Sequence, residues 1–140
     1  MPISQLVYTS QTRNIGPSDV QTILDQAREG NLRAGVTGVL IFNQNYFCQC
    51  LEGGREEVTK AFCRIASDPR HNHVSLVAVH DVDARDFPDW SMGYVSNRSA
   101  DVDEPLRDFL PNKEFNSQIL AASSAIAVMK GLRDLRRTAV

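Results

Sequence analysis

An α+β fold is predicted by the order of periodicities along this chain of 140 residues. Short apolar runs of strand length alternate with two stretches of helical spacing, and after about residue 97 the pattern becomes helical throughout. A hydrophobic content of 42% with 23% charged residues suits one soluble domain, which at this size buries about two thirds of the surface its unfolded form exposes. No apolar run approaches the roughly 18 residues needed to span a bilayer. Met1-Pro2-Ile3-Ser4-Gln5 lacks the basic start and apolar stretch of a secretory signal. A cytoplasmic protein without a membrane partner is expected. A net charge of −2 and a pI near 5.9 weigh against nucleic acid, whose binders carry a basic excess.

The first strand is predicted over residues 3–10, followed by the turn residues Asn14, Gly16 and Pro17. Val20, Ile23, Leu24 and Ala27 then share one helical face, with Ser18 and Gln21 as a capping box and Gly30 as the stop. The run Val36-Thr37-Gly38-Val39-Leu40-Ile41-Phe42 is apolar on both faces, as a central strand covered from two sides would be. Asn43-Gln44-Asn45 turns it into an antiparallel partner over residues 46–53. A second helix after Gly53-Gly54 presents Val58, Ala61, Phe62 and Ile65 and ends before Pro69. Residues 74–80 form a fourth strand, residues 81–89 a polar loop, and residues 90–95 a fifth strand.

This βαββαββ order suits a ferredoxin-like arrangement, a five-stranded mixed sheet with two helices on one face. Val102, Leu106, Phe109 and Leu110 mark a short helix, and a longer one from about Ser117 carries Ala125, Val128, Met129, Leu132 and Leu135 on one stripe. These C-terminal helices are expected to cap the other face. The expected division is therefore a sheet domain over residues 1–97 and a helical cap over residues 98–140 that does not fold alone.

Within the strand Tyr46-Phe47-Cys48-Gln49-Cys50-Leu51-Glu52-Gly53, Gln49 shares a face with Phe47 and Leu51. A buried carboxamide needs partners for two donors and an acceptor, and leaving them unmet costs about 1–3 kcal/mol. Something polar, from the protein or from a ligand, must meet Gln49. Asn31 reads as a turn residue past the Gly30 stop, or as a second amide aimed between helix and sheet. Arg64 reads as half of an exposed i, i+4 pair with Asp68, or as a cation at a cleft mouth that neutralises a phosphate or faces a ring edge. Tyr8 reads as core, or as a phenol bonded to Gln49 if their strands are neighbours. Trp90 and Met92 share a face of the last strand, where packing explains them. His71 and His73 lack the further ligands of a metal site, and Cys48, Cys50 and Cys63 suggest neither a disulfide nor a metal framework. Glu52 reads equally as the candidate acid/base carboxylate nearest Gln49 and as an ordinary strand-end residue.

The ordered set Leu6-Val7-Tyr8-Thr9-Ser10, Asn31, Thr37-Gly38-Val39-Leu40, Phe47-Cys48-Gln49-Cys50-Leu51-Glu52-Gly53, Arg70-His71 and Trp90-Ser91-Met92 closely resembles the BLUF family of blue-light sensors that use FAD. The resemblance spans about residues 3–97. It implies a photoreceptor, not an enzyme, that binds FAD non-covalently, with FMN or riboflavin as alternatives. Tyr8, Asn31, Gln49, Arg64, Asp68 and His71 would form the flavin site. Tyr8 would donate an electron and a proton, Gln49 would rearrange, and Trp90 or Met92 on strand 5 would pass the change to the C-terminal helices. A downstream protein partner and a homodimer are expected. One departure is that Gly30 stands where some relatives carry a side chain over the ring. The competing reading is a small ferredoxin-like metabolite-binding regulator or hydrolase without flavin, in which Arg64 and Asn31 hold an anionic substrate.

Overall fold

A computed structural model describes residues 2–12, 17–42, 46–88, 93–96, 126–127 and 129–131. Its elements are β1 (Ile3–Gln11), α1 (Pro17–Ala34), β2 (Thr37–Phe42), β3 (Tyr46–Gly53), α2 (Arg55–Ala66), β4 (Asn72–Val82) and β5 (Gly93–Ser96). The strands lie in the order β4-β1-β3-β2-β5. The first four pair antiparallel, and the short β5 runs parallel beside β2.

Alternation along the strands sorts the core into two layers. Leu6, Tyr8, Leu40, Phe47 and Leu51 face Leu24 of α1 and Val58 and Ala61 of α2. Val7, Val39, Ile41, Cys48 and Cys50 face the other way, against Phe87 and Met129. This burial from both sides is why β2 is apolar on both faces. Residues 126–127 and 129–131 are helical, and Met129 is fully buried in the second layer. The remainder of the expected cap over residues 98–140, including the short helix near Val102, lies outside the described residues. Gly38 sits where the β3 backbone presses against β2, since a Cβ there would overlap the Cys50 carbonyl oxygen.

Two helix boundaries differ from the sequence expectation. Helix α1 passes through Gly30 and ends at Ala34, with Gly35 in the left-handed region at φ 69°. The Val36 N–H donates to the Asn31 carbonyl at 2.9 Å to close the end. One glycine costs a helix about 1 kcal/mol, too little to stop it when Arg28, Glu29, Leu32, Arg33 and Ala34 all favour continuing. Glu29 and Arg33 also pair at 2.8 Å. At the other end α1 begins with Pro17, a favoured first helical residue. Ser18 is therefore already inside the helix, and the Gln21 amide donates to Asp25 at 2.9 Å instead of closing a capping box.

Candidate functional site

Tyr8 and Gln49 are direct register partners on β1 and β3, and Leu40 of β2 flanks Gln49 on its other side. All three side chains point toward the helices. Helix α1 brings Asn31, α2 brings Arg64, and the turn after α2 brings Asp68 and His71. These residues line one cavity of about 260 Å³ between the helices and the sheet, whose apolar walls include Ile23, Ala27 and Ile65. Asn31 reaches it from the last turn of α1, a correction to the expectation that it follows the helix end. Trp90 and Met92, expected on strand 5, lie outside the described residues.

At the inner end, the Tyr8 hydroxyl donates to Gln49 Oε1. Tyr8 is 1% exposed and Gln49 5%. Burial drives the Tyr8 pKa far above the ordinary phenol range, and Cys48 and Asp68 act in the same direction. The phenol therefore holds its proton in the folded protein. Its ring lies 5.7 Å from that of Phe62.

At the outer end, Arg70 Nε donates to the two Asp68 oxygens at 3.0 and 2.9 Å, and the Arg70 backbone N–H donates to the same carboxylate at 2.9 Å. The hydrogen bonds from Arg70 hold the Asp68 carboxyl below the usual range and raise Arg70 in turn. The expected pairing of Arg64 with Asp68 is thus replaced by Arg70 with Asp68. Arg64 makes no ion pair with another described residue and stands exposed at the mouth, where a Cβ added at Gly30 would lie 4.0 Å from its Nη2.

His71 is buried, with Nδ1 2.8 Å from Ser10 Oγ and its ring edge-on to Phe47 at 5.2 Å. Burial pulls its pKa below the ordinary imidazole value, so it is neutral at pH 7. Arg70 also lines the cavity and was missed as a site residue from sequence. The available signal was Asp68-Pro69-Arg70, since proline turns the chain and lets residues two apart share a carboxylate.

Neutral groups that donate and accept hydrogen bonds lie deep in the slot, apolar walls surround it, and guanidinium groups stand at its mouth. These features define a binding module for a small ligand with an apolar body, hydrogen-bonding groups at one end and negative charge at the other. A family model for the sensors of blue light using FAD, BLUF, matches residues 3–93. Among solved structures, the BLUF protein BlrB in its dark state is 32% identical with a TM-score of 0.78, over 96% of this chain and 97% of that one. BlsA in its photo-activated state is 30% identical with a TM-score of 0.81, over 93% and 94%. Subunit beta of the photoactivated adenylate cyclase of Euglena gracilis is 31% identical over 119 residues, 82% of this chain and 14% of that protein. The chain spans well under a third of the length of the curated relatives it matches. It belongs to the BLUF family. That family is described as sensors of blue light using FAD.

Proposed function

We propose that the cavity between α1, α2 and the sheet is the flavin site and that Tyr8 and Gln49 are its photochemical switch. The observation that carries this reading is the buried hydrogen bond from Tyr8 to Gln49 at the closed end of a slot whose mouth is cationic. The volume is below the roughly 300–1,000 Å³ of sites that enclose a whole drug-sized ligand. It suits the ring portion of a flavin, with the remainder leaving past Arg64. In this arrangement Asn31 and Gln49 would address the polar edge, Arg64 and Asp68 would lie near the outer part of the cofactor with His71 as a further neighbour, and Arg70 holds Asp68 in place. FMN and riboflavin share the ring and satisfy the same inner contacts.

When bound, the flavin supplies a ring that absorbs blue light and accepts an electron in its excited state. Tyr8 supplies that electron. Loss of an electron makes the phenol strongly acidic, so its proton leaves along the existing bond to Gln49 Oε1. When electron and proton return to Tyr8 no net oxidation has occurred, and Gln49 is left in its other orientation or tautomer. A carboxamide can do this because it both donates and accepts. The changed hydrogen bonding would redden the absorption of a bound flavin.

The output runs through β5, beside β2, and the C-terminal helices to a protein partner, with Trp90 or Met92 as the relay before β5. A homodimer in the cytoplasm is the assembly we expect. No described helix is long and apolar enough to cross a membrane. The test is the absorption of the purified protein before and after blue light. A reversible red shift is expected, retained flavin without the shift in Gln49→Leu, and no photoproduct in Tyr8→Phe. A colourless protein that refuses added FAD refutes the reading, as does a normal photocycle in Gln49→Leu.

A further inference from the structure

The sheet face away from the cavity carries a second polar assembly. Gln5, Glu52 and Thr37 are register partners in one row across β1, β3 and β2, and alternation places them opposite Gln49. Glu52 is 0% exposed and Gln5 1%. A carboxylate so deeply buried persists only where donors converge on it. Its Oε2 accepts from Gln5 Nε2 at 2.7 Å and from the Asp86 backbone N–H at 2.9 Å, and its Oε1 accepts from the Phe87 backbone N–H at 2.7 Å. Two of these three donors belong to the segment after β4. The compensation of the charge and the position of that segment are therefore one arrangement.

Further bonds fasten the same segment. Arg85 donates to the Glu52 carbonyl at 3.0 Å, to Thr37 Oγ1 at 2.8 Å and to the Gly35 carbonyl at 2.7 Å. Asp86 accepts from Gln5 at 2.8 Å and pairs with Lys130 at 3.7 Å. Phe87 is buried beside Met129. Glu52 lies on the same strand as Gln49, about 10 Å further along at 3.3 Å per residue. That strand is paired on both sides, so it carries a displacement with little slack.

We propose that Glu52 is a positioning residue whose carboxylate latches residues 85–87, and through Asp86 and Lys130 the helical turn around Met129, to the strand that bears Gln49. The inference rests on the light-driven switching at Gln49 argued above. Movement of β3 at the switch then changes the seating of that turn. Three converging donors suit an acceptor-only group, which a carboxylate is and an amide is not.

The test is site-resolved hydrogen exchange on the full chain with its flavin, dark and lit, in the parent, Glu52→Gln and Asp86→Asn. In the dark, Glu52→Gln is expected to speed exchange at the Asp86 and Phe87 amides by about tenfold or more, while the flavin red shift keeps its size. The light-dependent change in protection around Met129 seen in the parent is expected to vanish. Asp86→Asn keeps the backbone donors, so exchange at those amides stays within about twofold while the change around Met129 is lost. Unchanged dark protection in Glu52→Gln overturns the latch, as does a light-dependent change that persists in both variants or is missing from a parent that red-shifts normally. If Glu52→Gln does not fold, Asp86→Asn decides by the change around Met129. A parent without a red shift refutes the switch at Gln49 instead, and the dark exchange comparison still decides the latch.

Discussion

Tyr8→Phe deletes one oxygen from a ring that is 1% exposed, and it leaves the contact with Phe62 at 5.7 Å in place. What is lost is the donor to Gln49 Oε1, on a side chain only 5% exposed. Removing one partner of a buried hydrogen bond costs up to about 1–3 kcal/mol. Relief from burying the hydroxyl offsets part of this, so a loss of about 1–2 kcal/mol is expected. Gln49→Leu strands the phenol instead and has a similar cost. Removing both partners costs less than the two single losses added, giving a coupling of about 1–2 kcal/mol in the double-mutant cycle. The assay is urea unfolding of the four proteins in the dark, with and without flavin. For slopes of about 1–3 kcal/mol per molar, each single midpoint falls by about 0.3–2 M. The same samples report the light-minus-dark spectrum, and the red shift is expected only in the parent. Single losses that add to within about 0.3 kcal/mol would show no bond worth the name. A full shift in Tyr8→Phe would remove the phenol from the photochemistry.

Because His71 has a lower pKa folded than unfolded, the unfolded chain binds the extra proton more readily. Stability at this site is therefore complete well above the unfolded value of about 6.5 and declines as pH falls through it. Denaturant titrations from pH 8 to 5 should show a steeper decline in the parent than in His71→Gln, and equal slopes would refute the assignment. Gly38→Ala places a Cβ against the Cys50 carbonyl, so β2 and β3 must part, at a cost of about 2–3 kcal/mol measurable by thermal unfolding. Burial pushes the Cys48 thiol up to about 12 and Cys50 well above its ordinary value, whereas Cys63 is exposed. A disulfide reagent at pH 8 should therefore titrate Cys63 alone in the native protein and all the cysteines in denaturant. Rapid native labelling of Cys48 would refute that burial.

The sheet was legible because its signals are local. The doubly apolar β2, the hairpin turn and the amide in β3 each lie within a few residues, and alternation then places Gln49 on the helical face. The failures came where a local rule met a longer-range balance. Gly30 reads as a stop, yet its neighbours on either side favour helix enough to carry α1 to Ala34, and Asn31 moves with them into the helix. Arg64 and Asp68 have pairing spacing, but α2 ends at Ala66. The i, i+4 geometry does not extend to residue 68, and the turn at Pro69 delivers Arg70 to Asp68 instead. Glu52 looked like a strand end because its burial depends on residues 85–87, more than thirty positions away in sequence.

Strand β3 carries two polar side chains with opposite solutions to burial. At residue 52 the donors are fixed by backbone and amide groups, so a charged acceptor is compensated and holds one geometry. At residue 49 the Tyr8 hydroxyl donates from one side, and on the proposed reading a flavin edge that both donates and accepts lies on the other. A carboxylate there would meet the phenol but repel the flavin carbonyl, and the effective cost of burying its charge is several kcal/mol. A neutral carboxamide avoids that cost, and because it both donates and accepts it can make two hydrogen-bonding patterns, which on the proposed reading light exchanges. On that reading the same strand holds its charge where the pattern stays constant and its amide where the pattern changes, which is the division a sensor needs if its switch is to move without loosening the fold that reads it.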